Sequence, residues 1–264
     1  MKLNYFRWLL TGAVFFISTA YAIDLSYSNS NPMGEGTVTT NSLVIKGNIE
    51  YGDYDKLLNF LRKNPQPFVN NRFIVLASNG GDIEEALKIS EFIKKSYPSV
   101  FIGQTYGQCL SACFFLAAAA PQRLWTEGYL GIHRPYINFQ LHNKLSIIEI
   151  QKIEKNVMEF ARNYLNELEV SSFLIDKMFS TSSAETYFVK RNELTEYSFF
   201  FEQLMIARCG YDVNDLKIAR IKNLSTENPE LFNKSANRIG QAIRCGKLNL
   251  NEEATKYLTR LKIN

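Results

Sequence analysis

Ser111 and His133 are the two residues whose types and spacing suit acyl-transfer chemistry. Ser111 lies in Gly107-Gln108-Cys109-Leu110-Ser111-Ala112-Cys113, after an apolar run at Val100–Ile102 that predicts a buried strand. A small-residue helix is predicted from about Leu110 until Pro121 stops it. A serine where strand becomes helix has its Oγ lifted clear of the sheet, and the free N–H groups of the first helical turn face any oxyanion formed beside it. His133 ends a second short strand predicted over Tyr129–His133, which puts a general base within reach of the serine. Taken singly, each residue has a plainer role: serine as a helix N-cap, histidine as a half-buried, satisfied imidazole. The glycine pair Gly80-Gly81 tips the reading toward catalysis.

The elements that must position these residues alternate between strand and helix. Ser42–Lys46 reads as a strand, and Tyr51 to Lys63 places Tyr54, Leu57, Leu58, Phe60 and Leu61 at helical spacing. Phe73–Ala77 is a near-continuous apolar run, as in a strand covered on both faces. It feeds Ser78-Asn79-Gly80-Gly81-Asp82 and then a helix carrying Ile83, Ala86, Leu87, Ile89, Phe92 and Ile93. This alternation predicts βαβ units and an α/β architecture. Adjacent glycines between a buried strand and a helix let the backbone approach a ligand closely. The pair lacks the Lys-Ser/Thr of a phosphate loop, so the chain shows no ATP site of its own.

Ser78-Asn79-Gly80-Gly81 before a helix, Ser111-Ala112 opening the next, and Leu130-Gly131-Ile132-His133-Arg134-Pro135 resemble, in order and spacing, the proteolytic subunit of Clp protease. Gly47-Asn48-Ile49, Gly80-Gly81-Asp82 and Cys109-Leu110-Ser111-Ala112-Cys113 resemble the exported Clp-protease-like proteins of bacteria. The resemblance covers about Ser42 to Tyr197. It implies the Clp-protease/crotonase fold, a spiral of repeated ββα units, with Ser111 as nucleophile and His133 as base. The backbone N–H groups of Gly81 and Ala112 would form the oxyanion hole.

The chain departs from that pattern twice. Asn79 stands where the protease usually has proline, and Thr186 falls at the position of the catalytic aspartate. Glu185 and Asp176 are the carboxylates that can substitute for it. The expectation is a dyad in which His133 is oriented by the Thr186 hydroxyl or by a backbone carbonyl.

The remaining segments set organisation and location. Lys2, Arg7, the apolar run Trp8–Ala20 and Ala20-Tyr21-Ala22 predict a signal peptide over residues 1–22, cleaved after Ala22, and hence a periplasmic or secreted protein. Its loss would remove two of the 30 basic residues and none of the 26 acidic ones, leaving a near-neutral, interspersed surface that argues against nucleic acid. Residues 23–41, rich in Ser, Asn and Gly, read as a mobile lead-in, 42–197 as the Clp-protease-like domain, and 198–264 as a helical appendage. In the last segment Phe199–Arg208, Val213–Ile221, Pro229–Ile243 and Glu252–Leu261 carry helical patterns. The four cysteines allow three pairings. Cys209–Cys245 is expected, each closing a helical pattern, while Cys109 and Cys113 either pair or stay as buried thiols. With two histidines and no Cys-x-x-Cys, neither a metal nor another cofactor is expected.

Ser146 to Leu168 forms an amphipathic helix with Ile147, Ile150, Ile153, Val157, Phe160, Tyr164 and Leu168 on one face, where the protease carries its oligomer-forming handle. Intrachain core is the default for such a stripe, and homo-oligomer formation is left open. The favoured reading is an exported, ATP-independent serine peptidase acting on peptides or proteins, with no ATPase partner implied. The alternative is a catalytically weak or dead fold that binds peptides or envelope components. Crotonase-like thioester chemistry fits an exported chain poorly, and His133 favours the Ser–His pair over a Ser–Lys peptidase.

Overall fold

A computed structural model of the chain describes residues 22–29, 41–136, 146–194, 209, 218 and 224–263. Strands β1 (Asp24–Ser28) and β2 (Ser42–Lys46) pair antiparallel, and helices α1 (Asp53–Lys63) and α2 (Pro65–Asn71) follow. Next come β3 (Phe73–Ala77), α3 (Ile83–Ser96), β4 (Ser99–Ile102), β5 (Cys109–Leu110), α4 (Cys113–Ala119), β6 (Gln122–Trp125) and β7 (Leu130–Ile132). The chain continues with α5 (Ile147–Glu167), α6 (Ser172–Ser180), β8 (Tyr187–Phe188), α7 (Arg191–Leu194), α8 (Leu224–Glu227) and α9 (Pro229–Arg260).

Among the described residues one sheet runs β1-β2-β3-β4-β6, parallel beyond β2, and a smaller one runs β5-β7-β8. Alternation along the strands of the larger sheet divides its two faces. Leu43, Ile45, Ile74, Leu76, Val100 and Ile102 join the main core with α1, α3 and α4, while Val44, Phe73, Val75 and Phe101 form a second cluster behind. This accounts for the unbroken apolar run of β3. Beyond Ala77 the chain steps from one sheet toward the other: the Leu110 N–H donates to the Ser78 carbonyl at 2.8 Å. The two sheets therefore meet where Ser78–Asp82 and Ser111 lie.

The structure revises two expectations and adds packing detail to a third. Residues 24–28 of the supposed mobile lead-in form an edge strand, because Ile23 is fully buried and its N–H reaches Asp53 Oδ2 at 3.2 Å. The C-terminal helix packs back onto the domain: Leu258 and Ile263 join the main core, the Tyr97 hydroxyl donates to Glu253 at 2.9 Å, and Arg62 Nε donates to the Leu261 carbonyl at 2.9 Å. The two predicted helices over Pro229–Ile243 and Glu252–Leu261 are one, α9, because Cys245-Gly246 does not end it; Gly246 is buried within the helix, where packing outweighs its propensity cost of about 1 kcal/mol. The helical patterns at 199–208 and 213–221 lie outside the described residues but for 218, and the signal segment lies outside them but for Ala22.

Helix α5 matches its predicted span and is opened by a capping box in which Ser146 and Glu149 satisfy each other's backbone N–H groups. Its stripe is not intrachain core along most of its length. Only Ala161, Tyr164 and Leu165 are buried, whereas Ile147 and Ile148 are 74% and 77% exposed, with Ile153 and Phe160 also exposed.

Candidate active site

Ser111 occupies the turn between β5 and α4 with φ 55°, the left-handed region that a residue with a Cβ enters only when its surroundings hold it there. Backbone bonds fix it from both sides. Its N–H donates to the Gly131 carbonyl at 2.9 Å, and its own carbonyl accepts from the Phe114 N–H at 2.9 Å. A disulfide between Cys109 and Cys113, both fully buried, spans the turn from the last strand pair to the first helical residue. The bond expected between Cys209 and Cys245 is also present, with Cα atoms 6.1 Å apart.

Gly80 packs directly on this turn. A Cβ built on it would lie 2.7 Å from Ser111 Cβ and 2.8 Å from the Ala112 nitrogen, so no side chain fits, and its φ of 88° also favours glycine. Gly81 is equally confined, by the Ile49 carbonyl oxygen 2.1 Å from its Cβ position. Among the described residues, no acceptor takes the N–H of Gly81 or of Ala112. These amides lie on two segments that meet at Gly80.

His133 is buried at the end of β7, two residues beyond the Gly131 that holds the serine. Its Nδ1–H donates to the Arg134 carbonyl at 2.9 Å. A carbonyl only accepts, so Nδ1 is the donor in this contact. Among the described residues no hydrogen bond joins His133 to the Ser111 Oγ.

Among the described residues no carboxylate bonds His133. The β7–β8 register pairs Gly131 with Phe188 and Ile132 with Tyr187, and the Thr186 methyl lies 2.6 Å from a Cβ position on Gly131. Thr186 donates no hydrogen bond to His133 among the described residues. Asp176 is exposed on α6, paired with Arg162 at 2.8 Å, and Glu185 is exposed in the turn before β8. Strand β8 is anchored instead by Tyr187, whose hydroxyl donates to Glu193 at 2.6 Å. That hydrogen bond, with a smaller contribution from burial, pushes the Tyr187 phenol up to about 12.

Residues 44–197 match a known family, the Clp proteases. The chain belongs to the Clp protease family. Solved structures similar to it include ClpP1 from Listeria monocytogenes, 20% identical over 60% of this chain and 86% of that one, with a TM-score of 0.43. An Asn-to-Asp mutant of the same protein is 22% identical over the same shares, with a TM-score of 0.40. A Ser-to-Ala mutant of 1510-N, a membrane-bound stomatin-specific protease, is 18% identical over 60% of this chain and 74% of that chain, with a TM-score of 0.42. Direct comparison with curated proteins finds no match. Sequence reasoning had singled out Ser111, His133 and the amides of Gly81 and Ala112. It missed strand β5, only Cys109–Leu110, and had left open whether Cys109 and Cys113 pair or stay as thiols; they pair.

Proposed function

We propose that the protein is an exported, ATP-independent serine peptidase in which Ser111 is the nucleophile and His133 the general base. The observation that carries the proposal is the Ser111 turn: a serine held in a left-handed conformation at the start of α4, its N–H bonded to the Gly131 carbonyl two residues before His133, whose Nδ1 contacts the Arg134 carbonyl. In the proposed reaction the Ser111 Oγ attacks the scissile carbonyl carbon while its proton passes to His133 Nε2. The carbonyl oxygen, now an anion, is received by the Gly81 and Ala112 N–H groups. Collapse breaks the C–N bond, His133 returns the proton to the leaving amine, and water resolves the acyl-enzyme by the same base.

The carbonyl takes the orienting role of the acid without its charge. Lacking that charge to stabilise the imidazolium, the site is expected to be slow, since losing the acid's function in a triad costs about 10⁴ in turnover. Two disulfides support export, because such bonds persist in oxidising compartments, as does the predicted signal peptide. Members of this family act on peptides and typically form homo-oligomers. The exposed Ile147, Ile148, Ile153 and Phe160 supply a self-association face here.

The test is fluorophosphonate labelling of the mature chain. His133→Ala should remove most of the labelling rate, while Asp176→Asn and Glu185→Gln should each change it by less than about tenfold. A collapse on either carboxylate substitution, with the circular dichroism spectrum unchanged, would replace the dyad with a triad. Phe160→Lys should lower the sedimentation coefficient if α5 forms the oligomer face; an unchanged value removes that part of the proposal.

A further inference from the structure

The cleavage point predicted after Ala22 falls beside a carboxylate already in place. Ile23 is fully buried, its backbone N–H donates to Asp53 Oδ2 at 3.2 Å, and its carbonyl accepts from Lys56 Nζ. Asp53, at the start of α1, is 2% exposed, and the same Oδ2 accepts the Glu50 N–H at 2.7 Å. We infer that processing turns the Ile23 amide into an α-ammonium paired with the Asp53 carboxylate, and that this pair secures the loop segment flanking Gly81 in the processed protein alone. The inference rests on the export reading above.

The chemistry is hydrolysis of the Ala22–Ile23 peptide bond by a signal peptidase. The oxygen of water goes to the Ala22 carbonyl carbon, which leaves as a carboxylate. The Ile23 nitrogen leaves as an amine and takes up a proton, so a positive charge appears where a neutral amide stood. A hydrogen bond between two ionised groups is roughly twice as strong as a neutral one, and a buried carboxylate without a counter-charge is costly. In the unprocessed chain Asp53 has backbone amides and the helix N-terminus for support, while Lys56 is engaged with the Ile23 carbonyl.

The route from Asp53 to the glycine loop is short. Glu50, held by Asp53, follows Ile49, whose N–H donates to the Gly80 carbonyl and whose carbonyl accepts from the Asp82 N–H, each at 2.8 Å. Ile49 thus brackets Gly81, one of the two amides assigned to the oxyanion. A firmer Ile23–Asp53 contact therefore steadies Gly81 through residues 49 and 50.

The experiment begins by sequencing the N-terminus of the exported protein. The mature chain is then compared with a free and an acetylated α-amine, in the wild type and in Asp53→Asn. Acetylation keeps the N–H but removes the charge. It should lower the folding equilibrium constant at least about tenfold with Asp53 present and less than about twofold in Asp53→Asn, the difference isolating the pair. The labelling rate at Ser111 should fall with acetylation only in the Asp53 background. Equal effects of acetylation in both backgrounds overturn the inference while leaving the peptidase reading intact. If Asp53→Asn does not fold, a chain retaining Ala22 moves the ammonium one residue away: it should lose the same stability, and unchanged stability overturns the pair. A mature N-terminus other than Ile23 overturns the processing reading and this inference with it. Coupled stability without labelling refutes only the Ser111 assignment.

Discussion

Gly80→Ala tests the contact on which the serine turn is built. The added Cβ would lie 2.7 Å from both the Leu110 carbonyl oxygen and Ser111 Cβ, and 2.8 Å from the Ala112 nitrogen, where ordinary contacts begin at 3.4 Å. The serine turn must therefore move by several tenths of an ångström. Alanine at φ 88° adds a left-handed penalty of about 1–2 kcal/mol, and overpacking a tight site adds about 1–3 kcal/mol, giving a loss of about 2–5 kcal/mol. Gly52→Ala separates the two contributions: its φ is 93°, yet nothing lies within 4 Å of its Cβ position. That variant should lose only about 1–2 kcal/mol and keep its labelling rate. In Gly80→Ala, labelling at Ser111 should fall about 10- to 100-fold, since a 1 Å misplacement costs up to about 10². Urea unfolding measures the first effect and fluorophosphonate kinetics the second. If the two variants lose equal stability and both label at the wild-type rate, Gly80 does not press on the serine turn and the reasoning fails.

Further expectations follow from contacts elsewhere. Replacing Cys209 and Cys245 by alanine should cost about 4 kcal/mol, against about 2 kcal/mol for the shorter Cys109–Cys113 loop, by the chain-entropy relation. Only the shorter loop encloses Ser111, so its loss should slow labelling more, and the reverse order would contradict its role in holding the turn. Arg123→Met should lose about 2–4 kcal/mol in urea unfolding, because the buried guanidinium donates to the carbonyls of Ala118, Ala120 and Leu168 and so ties the end of α4 to α5; a loss below about 1 kcal/mol would contradict this. Burial acts to raise the pKa of Glu85, but the hydrogen bonds from Lys88 and the Tyr54 N–H outweigh it and hold the carboxyl below its usual range. Its contribution to stability is therefore present above the ordinary carboxylate pKa and lost as pH falls through the depressed value. Acid unfolding of Glu85→Gln should show a shallower loss below pH of about 4.5 than the wild type, and equal slopes would contradict the assignment.

What the sequence revealed tracks how local each cause is. Strands β2, β3 and β4 and helices α1, α3 and α5 were legible because apolar period and caps are written within each segment, as in Phe73–Ala77 and the Ser146–Glu149 pair. Strands β5 and β8, two residues each, exist through partners distant in sequence and carry no period of their own. Strand β1 was hidden because its anchor, Asp53, lies thirty residues away. The break assigned at Cys245-Gly246 failed because a glycine ends a helix only when its neighbours let the chain turn, and here packing carries the helix through. Ser111 and His133 were visible as residue types, but of the Thr186 hydroxyl and a backbone carbonyl as partners for His133, only the structure singles out the Arg134 carbonyl, which no side-chain pattern can signal.

The central claim is that Ser111 is an activated nucleophile. Its most direct measurement is peptide mapping of the mature, folded protein after reaction with a fluorophosphonate. The account calls for one adduct, on Ser111 in the tryptic peptide that ends at Arg123, and for none in Ser111→Ala. An adduct on another serine, or an unlabelled folded protein, would contradict it.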